Sequence, residues 1–229
     1  MSPKTVITPQ LFDFFRELRA NNNREWFQAN KQRYETQVRE PLLTFIVDFG
    51  EHLNRISPHY VADPRKSGGS MFRINRDIRF SKDKSPYKVA AGIQFRHEQG
   101  KDVHAPGFYL HLEPGSVFGG VGIWKPDTKT LGKIRDAMVE DPDRWREIVS
   151  DEAFQSRFKL EGDSLKRPPR GYDPEHPLID DLKRKDFIAG TAFTEADACA
   201  PDFIDHYADV CRSASPFMEW LTTAVKLPW

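Results

Sequence analysis

Residues 107–124 read GFYLHLEPGSVFGGVGIW, two runs of alternating apolar and polar side chains separated by Glu-Pro-Gly-Ser. An alternation with a period of two is typical of strands, and Pro-Gly is typical of a turn. We therefore predict strands over Gly107–Glu113 and Val117–Trp124. Because strands joined by so short a turn run antiparallel, this hairpin indicates an antiparallel sheet.

A two-residue turn at Pro114-Gly115 also sets the register of the hairpin. The predicted pairs are Leu112 with Val117, His111 with Phe118, and Tyr109 with Gly120. The residues predicted to share one face of the sheet are Tyr109, His111, Phe118, Gly120, Gly122 and Trp124. Glycines opposite an aromatic side chain leave space, so this face is either a ligand groove floored by aromatic rings or a place where a helix packs.

Upstream of the hairpin, the same alternation predicts two further strands, Met71–Ser81 and Lys88–His97. Residues 8–55 instead carry apolar side chains at the spacing of helices. Residues 127–226 are also predicted to be helical, interrupted by a surface loop over Gly162–Pro177 that is rich in proline and glycine.

The predicted fold class is α+β, because helices precede and follow a run of strands. We expect an antiparallel β meander of about four or more strands over residues 71–124, flanked by N-terminal and C-terminal helices. No internal repeat or linker divides the chain, so residues 1–229 are expected to form a single domain.

The composition excludes some classes of function. The chain has 34 Lys and Arg against 34 Asp and Glu, and this zero net charge disfavours a protein whose main task is to coat nucleic acid or an acidic membrane. No apolar run is long enough to span a bilayer, so we expect a soluble protein. Only two cysteines are present, Cys199 and Cys211, and they are too far apart on a helix to form a disulfide. A reducing, cytoplasmic location is therefore expected.

Residues 72–88, FRINRDIRFSKDKSPYK, stand out against this neutral background, and we call them the basic segment. They hold six basic and two acidic side chains, which gives the segment a net charge of +4. The basic residues are Arg73, Arg76, Arg79, Lys82, Lys84 and Lys88. Guanidinium and ammonium groups bind phosphate and carboxylate, so the segment predicts an anion pocket. Alternatively, it is a solvated face of the sheet whose charges pair with nearby acids.

Four motifs together are similar to a known family. They are FFRELRANNNREWFQANKQRYE at residues 14–35, RINRDIRFSKDKSPYK at 73–88, GFYLHLEPG at 107–115 and GVGIWKPD at 120–127. They resemble domain of unknown function 2461, a family of bacterial and fungal proteins, over nearly the whole chain. The resemblance implies one cytoplasmic domain and brings no activity with it. It directs attention to Arg73, Arg76, Asp77, Arg79, Phe80, Lys82, Asp83, Lys84, Pro86, Tyr87 and Lys88.

If the basic segment adjoins the aromatic face of the hairpin, the two would form one site. Asp77, Tyr87 and His111 are then the candidates for proton transfer, since a histidine side chain is suited to general acid or base catalysis. Tyr109 and Trp124 would contact the ligand beside the six basic side chains. A structural role for His111, hydrogen-bonded within the sheet, is the competing interpretation.

No motif identifies a metal or cofactor. The histidines His97, His104 and His111 are dispersed, without the close spacing of metal ligands, so no metal site is predicted. The glycines of residues 115–122 match neither a P-loop nor a dinucleotide-binding motif. The cofactor is unknown from the sequence.

The leading hypothesis is a protein with a basic pocket around residues 73–88 that binds a small phosphorylated or carboxylated ligand. Both a binding module and an enzyme remain open, because no pair of nucleophile and base is evident. The alternative is a nucleic-acid-binding or protein-interaction module that uses the same segment, although the zero net charge disfavours nucleic acid. We expect no membrane partner, and the sequence does not define the oligomeric state.

Overall fold

The structure, a computed structural model, describes residues 7–100 and 104–229. The helices before the sheet are α1 (Pro9–Ala20), α2 (Arg24–Ala29), α3 (Lys31–Tyr34), a π-helical turn (Glu35–Arg39) and α4 (Glu40–Ile56). Those after its first three strands are α5 (Thr128–Glu140), α6 (Pro142–Ser150), α7 (Glu152–Arg157), α8 (Ile179–Leu182), α9 (Glu195–Ala198), α10 (Phe203–Ser213) and α11 (Ser215–Ala224). The strands are β1 (Ala91–Arg96), β2 (Gly107–Glu113), β3 (Ser116–Ile123), β4 (Lys159–Glu161) and β5 (Phe187–Phe193).

The five strands found in the described ranges form one antiparallel sheet in the order β1-β2-β3-β5-β4. The α+β class and the flanking helices are confirmed. The predicted register is also confirmed, with Leu112 opposite Val117, His111 opposite Phe118, and Tyr109 opposite Gly120. Gly115 adopts a φ of 79° in the turn, a conformation that glycine reaches without strain.

The helices cover one face of this sheet. Phe95 of β1 lies with its ring centroid 4.6 Å from that of Phe49 on α4 and 6.4 Å from that of Tyr207 on α10. Phe108 and Leu110 of β2 are fully buried on the same side. Alternation along β2 therefore turns Tyr109 and His111 to the opposite face of the sheet, where both are partly exposed.

Local capping explains where several helices begin. Pro9 starts α1 at a position that needs no backbone N–H, and the Asn23 side chain accepts a hydrogen bond from the Trp26 N–H at the start of α2. Thr194 and Asp197 form a capping box at α9. The apolar faces of the helices then meet those of the sheet in one cluster of buried residues within the described ranges.

The strand predicted over Met71–Ser81 was wrong. This stretch is irregular, with isolated bridges from Met71 to Ile93 and from Asn75 to Tyr87. A side chain within it bonds the backbone in place of a strand partner, since Asp77 Oδ1 accepts from the Arg79 N–H at 3.3 Å. The apolar alternation does not follow burial here, because Ile74 is buried whereas Phe80 is 95% exposed.

The prediction of helices throughout residues 127–226 was incomplete, because β4 and β5 lie there. Residues 187–193 read FIAGTAF, a run with three small residues among its apolar ones, and this weakens the alternation. The partner of β5 is β3, which ends more than sixty residues earlier in the chain. Such a pairing leaves little local signal. The predicted loop over Gly162–Pro177 is irregular as expected.

No helix in the described part of the chain combines the length and the apolar character that crossing a bilayer requires.

Candidate functional site

The basic segment begins beside β1. The Phe72 N–H donates to the Gly92 carbonyl at 2.9 Å, which places residues 71–75 along this edge of the sheet. The chain then leaves the sheet, and residues 86–88 return to lie next to residues 74–76. The Arg76 N–H donates to the Pro86 carbonyl at 2.9 Å, and the Lys88 N–H donates to the Ile74 carbonyl at 2.7 Å. Residues 76–86 therefore form an excursion, which we call the 76–86 loop.

Three of the predicted anion-binding cations are bonded within this loop. Arg79 Nε and Nη2 donate to the two Asp77 oxygens at 2.9 and 2.7 Å. Arg76 forms an ion pair with Asp83, and Lys84 Nζ donates to the Ile78 carbonyl at 3.0 Å. Their anion-binding role stays a prediction, but each would have to exchange a partner that it already has.

These cations lower the pKa values of the two acids in the loop. The hydrogen bond from Arg79 is the main cause that lowers the pKa of Asp77 to about 2. The hydrogen bond from Arg76 lowers the pKa of Asp83 well below its usual range. Asp77 is therefore ionised at neutral pH and paired, which makes it a weak base for the predicted proton transfer.

The remaining loop cation, Lys82, is exposed. Phe80 is 95% exposed, and Arg79 Cζ lies 5.8 Å from the centroid of its ring. Trp124, which was predicted to contact the ligand together with Tyr109, follows β3 and is 46% exposed. Its ring stacks with that of His104 at 5.7 Å and lies 4.7 Å from Lys125 Nζ. The structure thus places Trp124 in a separate group from the rings around His111.

A pocket of about 240 Å³ lies where residues 71–75 face α2, α3 and the π-helical turn. Five cations line it against one acid, Glu35, and we call it the basic pocket. The cations are Lys31, Arg39, Arg65, Lys66 and Arg73. Of the predicted site residues, Arg73 alone is among the residues that line this pocket.

Two of these five cations are already paired. Arg39 Nη1 donates to Glu35 at 2.9 Å across the π-helical turn, and Arg65 bonds Asp63 through Nε and Nη2. Within the described ranges, no carboxylate partner is found for Lys31, Lys66 or Arg73. Glu35 is already paired with Arg39, so three cations from different parts of the chain line the pocket without a carboxylate ion-pair partner among the described residues.

The π-helical turn brings both members of the Arg39–Glu35 pair to the pocket wall. Such turns are rare and are frequent at functional sites. Their sequence signature is weak, and Arg39 and Lys31 look like ordinary polar residues on a helix. Sequence analysis therefore missed this wall.

Aromatic rings also line the basic pocket. Phe27 stacks on Tyr87 with centroids 4.1 Å apart and contacts Tyr34 at 5.5 Å. Burial raises the pKa of Tyr34 to about 12, so its hydroxyl stays protonated at neutral pH. Asn22 holds the Tyr87 backbone through two hydrogen bonds, of 3.0 and 3.1 Å. Tyr87, predicted for proton transfer, is thus a buried packing residue behind the pocket.

Lys88 lies next to this wall. Its Nζ is 5.3 Å from the centroid of Phe72, and Phe72 lines the pocket. The ammonium is half-buried, and burial, followed by the charge of Arg73, lowers the pKa of Lys88. Phe72 also contacts Tyr109, with ring centroids 6.0 Å apart, so one side chain connects the basic pocket with the outer face of the sheet.

On that outer face, alternate residues of β2 form a hydrogen-bonded row. Tyr109 Oη and His111 Nδ1 are 3.0 Å apart, and His111 Nε2 and Glu113 Oε2 are also 3.0 Å apart. Arg19 of α1 donates to Glu113 at 2.7 Å, and Phe118 stacks on His111 at 4.6 Å. Burial, with a contribution from Glu113, raises the pKa of Tyr109 to about 12.

Both nitrogens of His111 therefore have partners, and the row is held rigidly by its own hydrogen bonds. This geometry fits a structural role and leaves the catalytic role of His111 a prediction. Among residues 7–100 and 104–229, no group of three or more His, Cys, Asp or Glu side chains is placed to hold a metal ion.

The comparison with curated proteins found no match, and the comparison with solved structures found none either. A family model described as a conserved hypothetical protein, DUF2461, matches residues 10–220. The matched range includes the helices around the basic pocket, the basic segment and all five strands of the described sheet. The chain therefore belongs to the DUF2461 family.

Proposed function

We propose that the protein binds a small phosphorylated ligand in the basic pocket. One observation carries this proposal: Lys31, Lys66 and Arg73 line the same pocket without carboxylate partners in the described part of the chain. Like charges that face one another repel, and a bound anion removes this repulsion. The proposed site therefore consists of other residues than the anion site predicted from the sequence, and Arg73 belongs to both.

The charge of the pocket favours phosphate over carboxylate. A carboxylate carries one negative charge, whereas a phosphate ester carries about two at neutral pH and offers three acceptor oxygens. Three unpaired cations match the second better. The pocket of about 240 Å³ is also small, and its aromatic side chains Phe27, Tyr34 and Phe72 can contact the organic part of a small molecule.

Calorimetric titration with inorganic phosphate, pyrophosphate and phenyl phosphate tests this function. We expect the wild-type protein to bind phenyl phosphate more tightly than inorganic phosphate, because its ring can pack on the aromatic wall. Arg73→Ala should weaken binding by about tenfold or more, as expected for the loss of a charge-assisted hydrogen bond.

Arg79→Ala is the matched control, since Arg79 belongs to the same segment but is bonded to Asp77 and does not line the pocket. Unchanged affinity in this variant would assign binding to the basic pocket. An equal loss in both variants would instead favour the anion site predicted from residues 73–88. Failure of the wild-type protein to bind any of the three compounds would contradict the proposal.

A second candidate function uses the 76–86 loop, because Phe80 is 95% exposed there and Arg79 Cζ lies 5.8 Å from the centroid of its ring. An exposed ring with neighbouring cations suits base stacking and phosphate contacts in single-stranded nucleic acid. Fluorescence anisotropy with an oligothymidine probe tests it. A steep dependence of affinity on salt, together with loss of binding in Phe80→Ala, would support this function over the first.

A cytoplasmic location is part of the proposal. Cys199 and Cys211 are both free, as the sequence predicted, and free thiols suit a reducing compartment. Burial raises the pKa of both thiols, so neither is expected to be a reactive thiolate at neutral pH.

A further inference from the structure

Lys88 differs from the other lysines of the basic segment in the surroundings of its side-chain amine. It is half-buried, its Nζ lies over the ring of Phe72 at 5.3 Å, and no hydrogen-bond or carboxylate partner for it is found among the described residues. Its backbone is fixed to the pocket wall, because the Lys88 N–H donates to the carbonyl of Ile74, which lines the pocket. The position of Lys88 next to the pocket therefore follows from main-chain bonds.

These surroundings disfavour the charged form of the side chain. A half-buried ammonium without an acid is poorly compensated, and the nearby Arg73 adds repulsion, so the pKa of Lys88 is lowered. The Phe72 ring opposes this, because a cation over an aromatic face gains about 0.5–1 kcal/mol at exposed sites. A lysine that is desolvated beside another cation is a recognised form of activated amine nucleophile.

We propose that Lys88 is a reactive amine that condenses with a carbonyl group of the phosphorylated ligand. This inference rests on the proposed function, since Arg73 would hold the phosphate while Lys88, which contacts the lining residue Phe72 but does not itself line the pocket, meets a carbonyl that extends to that ring. It narrows the ligand to phosphorylated aldehydes and ketones. It also assigns the site a covalent step.

The step balances without an oxidant or a reductant. The Lys88 nitrogen attacks the carbonyl carbon, a C–N bond forms, and the carbonyl oxygen becomes a hydroxyl group by taking one amine proton through solvent. Loss of water then breaks the C–O bond and gives an imine. Both protons of the neutral amine leave with the carbonyl oxygen as water.

Borohydride trapping tests the inference on the wild-type protein. The protein is incubated with glycolaldehyde phosphate, any imine is reduced to a secondary amine, and the modified peptides are located by mass spectrometry. Lys82 is the internal control, because it is an exposed amine of the same segment. We expect about tenfold more adduct on Lys88 than on Lys82, since a bound phosphate raises the local concentration of the aldehyde.

Two further measurements separate the possible outcomes. Unphosphorylated glycolaldehyde should lose the preference for Lys88, and Lys88→Arg should abolish the main adduct while keeping its affinity for phenyl phosphate. Similar adduct yields on Lys88 and Lys82, with phenyl phosphate still bound, would overturn the inference and leave the proposed function standing. A preference that persists without the phosphate would overturn the assigned ligand class. Absence of phenyl phosphate binding would defeat the proposed function and this inference together.

Discussion

The basic pocket and the 76–86 loop share one basic segment, yet their cations have different surroundings. In the loop, Arg79 bonds Asp77 two residues away, and Arg76 pairs with Asp83. In the pocket, Arg73 lies with Lys31 and Lys66, which come from other parts of the chain and have no carboxylate ion-pair partner among the described residues. The 76–86 loop therefore carries most of the charges of the basic segment, but its arginines are the cations that nearby acids neutralise.

This contrast shows why a local count of charges is a poor guide to an anion site. The +4 charge of residues 72–88 is real, but near neighbours in sequence cancel much of it. Arg73 has no carboxylate ion-pair partner among the described residues, although its charge contributes to the lowered pKa of Asp77, and the unpaired cations that share its pocket come from α3 and from the loop before the segment. Convergence of distant residues, and not density along the chain, produces the uncompensated charge.

The largest effect is expected at Gly92, where the pocket wall rests on the sheet. A Cβ at this position would lie 2.6 Å from Tyr109 Oη and 2.9 Å from Phe72 Cδ2. Both rings would have to move, so Gly92→Ala should destabilise the protein by about 2–3 kcal/mol and weaken phenyl phosphate binding through Phe72. Urea denaturation and calorimetry measure the two effects.

Gly132→Ala provides the control for this substitution. Gly132 lies in α5, and a Cβ there would meet no heavy atom within 4 Å. Alanine in an exposed helix interior is favoured over glycine by about 0.5–1 kcal/mol, so this variant should be slightly more stable. If Gly92→Ala is as stable as Gly132→Ala, the contact between the wall and the sheet is looser than the structure indicates.

The hairpin of β2 and β3 shows how much the sequence can specify. Alternation defined both strands, and Pro114-Gly115 left one compatible register, which the structure confirms down to the Tyr109–Gly120 pair. These signals are local. In β5 the strand residues are small, and the partner strand β3 lies far back in the chain, so the same reasoning found no strand there.

The candidate site follows the same rule. Sequence analysis identified Arg73 and Lys88, because both belong to the conspicuous basic segment. It did not identify Lys31 or Lys66, since their approach to Arg73 depends on how α3 packs beside residues 71–75. Long-range packing decides which of many surface cations meet, and no local pattern encodes it.

A smaller effect is expected from two phenylalanines of the basic segment. Phe72 packs between Lys88 and Tyr109, whereas Phe80 at the loop tip is 95% exposed. Phe72→Ala should therefore cost about 1–2 kcal/mol of unfolding free energy, less than a fully buried phenylalanine would. Phe80→Ala should stay within about 0.5 kcal/mol of the wild type. Equal losses in urea denaturation would mean that the loop tip is packed in solution.

The smallest effect is expected from the exposed Arg79–Asp77 pair. The Arg79 hydrogen bonds lower the pKa of Asp77 to about 2 in the folded protein. A lowered carboxyl pKa means that the pair stabilises the fold above about pH 4 and that this contribution is lost as the pH falls toward about 2. A carbon-detected NMR titration of the carboxyl groups measures the midpoint directly.

Arg79→Gln should return the Asp77 midpoint toward the usual value of about 3.9, while melting at neutral pH changes little because the pair is exposed. Arg73→Gln should raise the same midpoint much less, since the charge of Arg73 contributes least to the lowered pKa of Asp77. If the Asp77 midpoint moves equally in both variants, the charge of Arg73 acts on Asp77 as strongly as that of Arg79. The distinction between a paired loop and an unpaired pocket cation would then fail, because Arg73 would already have its counter-charge in Asp77.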